Sequence, residues 1–217
     1  MSDRFDMLRA MAARPPADSS RDGAVVVAAS SDEGLVERIA QKDTAAFEEL
    51  VLRYQNRVFG FCLRLLDDAA EAEDVAQDVF LTLYRYAAHF RGESRFSTWL
   101  FRIAKNQSLN RLKYLERRGR QAQRALGDTQ EDRIASMTER EERQPDALVE
   151  GGQRAAIVQR AIASLPREQR VVLILRDLED LSYEEISKIA RLPVGTVKSR
   201  IHRGRTALAK RLSELLA

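Results

Sequence analysis

Apolar residues recur at helical spacing in two separate stretches of this 217-residue chain, and strand-like alternation is nearly absent. The first stretch opens with Leu35, Ile39, Phe47, Leu50, Val51, Tyr54, Val58, Phe61, Leu65 and Leu66 and continues to about Arg118. Twelve of the fourteen aromatic residues lie between Phe47 and Tyr114, so this half carries its own core. In the second stretch, Ala156, Ile157, Ile162 and Leu165 form a stripe ended by Pro166. Val171 to Leu175 with Leu178 form the next, apolar nearly all round and therefore central. Between the stretches the chain turns to Gln, Arg, Glu, Asp and Thr, with Gly127, Pro145, Gly151 and Gly152. That composition buries too little apolar surface to offset chain entropy. The expected fold is all-α: two small helical domains, 31–118 and 153–217, joined by a flexible linker, 119–152. Residues 1–30, with Pro15, Pro16 and paired serines, read as a flexible tail.

Composition removes several classes of function. Cys62 is the only cysteine, which excludes an intramolecular disulfide, and among Phe59, Phe61, Leu63 and Leu65 it reads as an inert core thiol. His89 and His202 are too far apart in sequence to suggest a metal site. The longest apolar run near the N-terminus, Ala24–Ala29, is too short for a membrane span or a signal-peptide core, so a cytoplasmic protein without membrane insertion is expected. No P-loop and no nucleophile–base arrangement is visible, so neither catalysis nor a cofactor is expected. A formal net charge of +3 does not identify a polyanion binder; its distribution says more.

The most informative segment is LSYEEISKIARLPVGTVKSRIHRGRTALAKRL. Ser182 and Glu185 form a capping box opening a short helix with Ile186, Ile189 and Ala190 inward. Arg191-Leu192-Pro193 breaks it, and a longer basic helix follows from about Val194 with Val197, Ile201 and Leu208 inward. Two helices joined by so short a break, the second basic, form a helix-turn-helix. From Lys188 to Arg211 there are eight Lys or Arg residues and no acid, whereas a merely solvated face usually mixes signs. Lys198, Ser199, His202 and Arg203 lie opposite Val197 and Ile201, where they can meet base edges in a major groove. Thr196, Arg200 and Arg205 are placed to hold phosphates.

The first domain carries two further patterns. Between Asp67 and Asp78 lie six acids and no base, and Asp74, Gln77 and Asp78 share a helical face that Tyr84 roughly extends. DNA would repel such a face; a basic protein surface would accept it, and on spacing alone a merely solvated face fits as well. Directly after come Phe90, Phe96, Trp99 and Phe101 around a loop, Arg91-Gly92-Glu93-Ser94. Then seven basic residues and one acid lie between Arg102 and Arg120, Lys105 among them. Aromatic faces beside a cationic surface suit single-stranded DNA, whose bases stack while Lys and Arg track the backbone. Trp99 and Phe101 fit a core better than a contact; Phe90 is the candidate for touching a base and Asn106 for hydrogen-bonding one.

EDVAQDVFLTLYR, FRGESRFSTWLFRIAKN and SLPREQRVVLILRDLEDLSYEEI with PVGTVKSRI, in this order, resemble an extracytoplasmic-function (ECF) sigma factor from about Leu35 to Leu212. The resemblance implies that the first block binds the β′ clamp coiled coil of core RNA polymerase through Asp74, Gln77, Asp78 and Tyr84, the β subunit being a further partner. It implies that Phe90, Arg91, Arg102, Lys105 and Asn106 capture the melted −10 element. Thr196, Lys198, Ser199, Arg200, His202, Arg203 and Arg205 would engage the −35 duplex, and an anti-sigma factor is the expected regulator. His202 stands where some relatives carry an aromatic residue, so the −35 preference of this chain can differ. A dimeric helix-turn-helix repressor would explain the C-terminal half alone and leave the acidic and aromatic-basic segments without a purpose. A nucleic-acid enzyme would need metal-binding or acid–base clusters that the sequence does not display.

Overall fold

A computed structural model describes residues 31–126 and 150–216, and among these every regular element is helical. The first half contains α1 (Asp32–Ala40), α2 (Thr44–Leu66), α3 (Ala69–Tyr86), a 3₁₀ turn (Ala87–His89) and α4 (Phe96–Leu126). The second contains α5 (Glu150–Ala163), α6 (Arg167–Asp177), α7 (Tyr183–Ala190) and α8 (Val194–Leu216). Both domain ends therefore reach into the stretch expected to be a linker: α4 continues past Arg118 through Gly119 to Leu126, and α5 starts at Glu150. The remainder of that stretch and the N-terminal tail lie outside the described residues.

Local chemistry sets the helix ends. Asp43 opens α2 by accepting the Ala46 amide at 3.2 Å, and Asp68 opens α3 by accepting that of Glu71 at 3.0 Å. Asp67 closes α2 in the left-handed region, at φ 56°, so two adjacent aspartates stop one helix and start the next. The box expected at Ser182 and Glu185 is complete: the hydroxyl accepts the Glu185 amide at 3.2 Å and the carboxylate accepts the Ser182 amide at 2.8 Å. Ser31 caps α1 by accepting the Gly34 amide at 3.1 Å, and Glu33 reaches across to accept the Phe96 amide at 3.1 Å.

The apolar stripes meet as their spacing predicts. Leu35, Leu50, Val58, Phe61, Leu65, Phe80, Leu83, Leu100 and Phe101 are fully buried in the first half. Phe61 meets Phe101 edge to face at 5.5 Å, a geometry favoured by the ring quadrupoles. Val171 to Leu175 are buried consecutively, so α6 is the central helix of the second half. Leu178, expected to join them, is largely exposed, since α6 has ended and the chain turns beneath it. Burial pushes the Cys62 thiol up to about 12, in agreement with an inert core role.

Candidate nucleic-acid and protein interfaces

Three surfaces gather the polar residues singled out by the sequence. On α3, Asp78 is exposed, while Asp74 and Gln77 are partly covered. Beside Asp74 the cover comes from α4: Arg111 forms an ion pair with Glu71 and lies 3.8 Å from Asp74. Gln107 donates to the Asp78 carbonyl at 3.2 Å and the Thr82 hydroxyl at 2.7 Å, fixing α3 against α4. Tyr84 belongs less to this face than its spacing suggested. Its ring packs edge-on to Phe47 at 5.1 Å and beneath the Lys42 ammonium at 4.9 Å, at the border of the core. Local spacing carries no sign of the roles of Arg111 and Gln107, because their partners lie tens of residues away.

The second surface surrounds the loop after α3. Phe90 and Arg91 line an open hollow of about 440 Å³ against α1, with Glu33, Val36 and Glu37 on its far wall. Arg91 is exposed; Phe90 is half-buried, leaning on Trp99 at 5.4 Å and Phe96 at 6.2 Å. Phe96, Trp99 and Phe101 are buried, so the aromatic cluster supports Phe90 from below and presents one ring to the surface. Asn106 and the partly exposed Arg102 share a face of α4 but do not line this hollow. Lys105 departs from expectation. It is only 9% exposed, and its ammonium donates to the Ile189 carbonyl in α7 at 3.2 Å. Burial foremost, then the nearby Arg191 and Arg102 charges, hold its pKa below the ordinary lysine value.

The third surface is the helix-turn-helix. Arg191, left-handed at φ 57°, ends α7, and the Ser187 hydroxyl donates to the Leu192 carbonyl at 2.5 Å, locking the turn before α8. Val197, Ile201 and Gly204 are buried, and Gly204 faces α6: a Cβ there would sit 3.1 Å from a Leu173 methyl, so a small residue lets the helices close. Opposite them, Lys198, Ser199, His202 and Arg203 are all exposed. Among the described residues no carboxylate forms a salt bridge with Lys198, His202 or Arg203. Thr196 is partly exposed at the start of the helix, with its carbonyl accepting the Ser199 hydroxyl at 3.0 Å. Arg200 and Arg205 are instead engaged with α6, Arg200 with Glu168 at 2.5 Å and Arg205 with Asp177 at 2.5 and 3.1 Å.

The sequence and the fold have counterparts. The sequence matches Sigma-70 region 2 over residues 50–118 and Sigma-70, region 4 over residues 155–208. It is 43% identical over 192 residues to the RNA polymerase sigma-H factor of Pseudomonas aeruginosa, covering 85% of this chain and 95% of that one. Identity to the ECF RNA polymerase sigma-E factor of Escherichia coli K12 is 39% over 188 residues, 86% of this chain and 96% of the relative. Among solved structures, CnrH in complex with the cytosolic domain of CnrY aligns with a TM-score of 0.61 at 22% identity, covering 85% of this chain and 99% of CnrH. The sigma factor RpoE of Bartonella quintana, in complex with the anti-sigma factor NepR, aligns with a TM-score of 0.56 at 24% identity, over 78% and 96% of the two chains. Two family matches in the expected order, with relatives aligned over nearly their whole length, decide the assignment: this chain belongs to the ECF sigma factors of the sigma-70 family, which direct promoter-specific transcription initiation.

Proposed function

We propose that the three surfaces divide the work of initiation. The acidic face of α3, led by exposed Asp78 with Asp74 and Gln77 beside it, docks on a basic helical surface of core RNA polymerase, the β′ clamp coiled coil. Charge complementarity then sets orientation and association rate. Tyr84 lies at the margin of that contact.

The α8 face of Lys198, Ser199, His202 and Arg203 reads the −35 element as duplex, because exposed basic and hydroxyl side chains without an internal acid are available to base edges. Thr196 faces a phosphate at the helix start, and Arg200 and Arg205 reach phosphates from carboxylates that hold them in position. Phe90, Arg91, Arg102, Lys105 and Asn106 capture the melted −10 strand. Melting is driven by binding the unstacked strand, with each base–aromatic stack worth about 1–3 kcal/mol.

The observation that carries this reading is the exposed, unopposed basic face of α8 on the same chain as a DNA-repelling acidic face on α3. A repressor needs only the first. Because the two solved structures named above are complexes with partner proteins, one of them an anti-sigma factor, a protein inhibitor of this chain is part of the same proposal. The site of action is the cytoplasm, where the chromosome and polymerase are, and among the described residues no helix is long and apolar enough to cross a membrane.

Run-off transcription tests the proposal, with purified core polymerase on the gene's own upstream DNA, with and without the protein. Transcripts that start at one position only in its presence are expected. No transcript together with no association with core polymerase would leave a repressor as the better account.

A further inference from the structure

Lys198 stands in the second turn of α8, exposed, with no salt bridge to a carboxylate among the described residues. A lysine stem so placed samples many rotamers, and contact with a base edge must first offset the loss of that freedom. The neighbouring reading residues are held by their own helix. The Ser199 hydroxyl donates to the Thr196 carbonyl at 3.0 Å, and Arg203 donates to the Ser199 carbonyl at 3.4 Å. Lys198 is held from outside α8. Its ammonium lies 5.4 Å from the centre of the Tyr183 ring, a cation–π contact that crosses the helix-turn-helix from the first residue of α7.

Tyr183 is itself fixed. Its backbone opens α7 directly after Ser182, inside the completed capping box with Glu185. Its half-buried side chain packs on the apolar core. The Arg176 guanidinium lies 5.2 Å from the ring centre. Arg176 is anchored in turn, donating to the Leu181 carbonyl at 2.8 Å and lying 3.7 Å from the Asp180 carboxylate. A line of contacts thus runs from the turn after α6, through Arg176 and the Tyr183 ring, to Lys198 on the exposed face of α8. The attraction for the ammonium comes from the ring quadrupole and not from the hydroxyl, so phenylalanine would supply it and leucine would not.

We infer that Tyr183 is a positioning residue for −35 readout: its ring holds the Lys198 ammonium on the groove-facing side of α8, so Lys198 discriminates its base pair only while the ring is there. The inference rests on the reading of that α8 face as the −35 contact. Tyr183 need not touch DNA to act. It narrows the rotamers of Lys198 before DNA arrives, which lowers the ordering cost of the contact. Specificity at one base pair then depends on a residue of the helix that crosses the backbone, outside the one that enters the groove.

The test uses holoenzyme assembled from the full chain and core polymerase, with competition binding on the gene's own upstream DNA and single-base variants of its −35 element. Lys198→Ala first marks the base pair that Lys198 reads, as the position where preference relaxes. Tyr183→Leu is expected to relax preference at that same base pair by about two- to fivefold, the worth of an exposed cation–π contact. Tyr183→Phe is expected to retain the preference. Tyr183→Leu with Lys198→Ala should relax it no further than Lys198→Ala alone, since the ring acts only through the lysine. A purely structural role would move affinity on every sequence alike. Proton NMR of the free full chain adds a reading that does not depend on the folding of Tyr183→Leu: ring currents should shift the Lys198 ε-methylene protons upfield in wild type and in Tyr183→Phe.

Equal loss on every sequence from Tyr183→Leu and Tyr183→Phe would make Tyr183 a phosphate contact and overturn the proposal. So would additive effects in the double variant, or unshifted Lys198 ε-methylene protons in the wild-type chain. A preference that Lys198→Ala relaxes and Tyr183→Leu leaves intact would dismiss the positioning role while keeping Lys198 as a reader. No base-pair-specific effect of Lys198→Ala at any position would remove the −35 reading of Lys198 and the proposal with it.

Discussion

The Glu33 carboxylate accepts the Phe96 amide at 3.1 Å, so the first helix of the domain supplies the cap for α4, 63 residues later. Phe96 is the first residue of α4, where unpaired amides and the positive dipole end favour a carboxylate. Glu33 also lines the hollow beside Phe90 and Arg91, so one side chain ties the start of α4 to the loop after α3. Glu33→Ala should cost about 1 kcal/mol of stability, as the loss of a helix cap does. Glu33→Gln, which keeps an acceptor oxygen, should cost less. Urea unfolding of both variants checks the order.

Asp78 is exposed and its side chain is free to meet another protein. Asp78→Lys should weaken association with core polymerase at least tenfold while shifting stability by less than about 0.5 kcal/mol, as surface changes do. Surface plasmon resonance on core polymerase and thermal unfolding separate the two effects. Equal loss of both would show that Asp78 supports the fold instead.

Arg203 and Arg205 are neighbours on α8 with different surroundings. Arg203 is exposed beside Ser199, whereas Arg205 is held by Asp177. Arg203→Ala should cost about 1–3 kcal/mol at one −35 base pair and relax preference there. Arg205→Ala should weaken binding alike on every sequence and lower the salt slope by about one. Binding titrations on a panel of single-base −35 variants at several salt concentrations distinguish them.

Gly204 sits where α8 presses on α6, and an added Cβ would lie 3.1 Å from Leu173 and 3.5 Å from Gln169. Gly204→Val should destabilise the second domain by about 1–3 kcal/mol through overpacking. The −35 affinity should fall by no more than the folded fraction does, which circular dichroism alongside DNA titration resolves.

Asp43 predicts an acid sensitivity. Burial works to raise its pKa, but the Ala46 amide and the Arg38 guanidinium outweigh it and hold the carboxyl below its ordinary value of 3.8. A carboxyl depressed in the folded state stabilises the protein above its unfolded pKa, and that contribution is lost as pH falls through the folded one. Asp43→Asn keeps a capping oxygen without a titrating charge, so its stability should fall less than that of wild type below about pH 4. Paired chemical denaturations at neutral and acid pH test this.

Much of this protein is legible one short segment at a time. Helical periodicity marks both cores, Ser182 and Glu185 announce α7 through neighbours three residues apart, and the break at Arg191-Leu192-Pro193 marks the helix-turn-helix. The signs of the α3 and α8 faces follow from the same local spacing. Burial of Trp99 and Phe101 was equally readable, since they fall in register with Leu100 and Ile103.

Tertiary structure decided which of the polar residues are available. Nothing near Lys105 in sequence tells of the Ile189 carbonyl 84 residues away, nor does anything near Glu179 tell of Arg57 at a separation of 122. Glu33 has the position of a local capping residue and serves a distant helix, and Arg200 and Arg205 look like free phosphate contacts until α6 is laid beside them. The physical reason is range. Backbone geometry and amphipathic spacing act within a turn or two of helix, so they are written in consecutive residues. Charge pairing and burial depend on how whole helices pack, and a side chain that is basic by sequence is left exposed or held internally only when that packing is set.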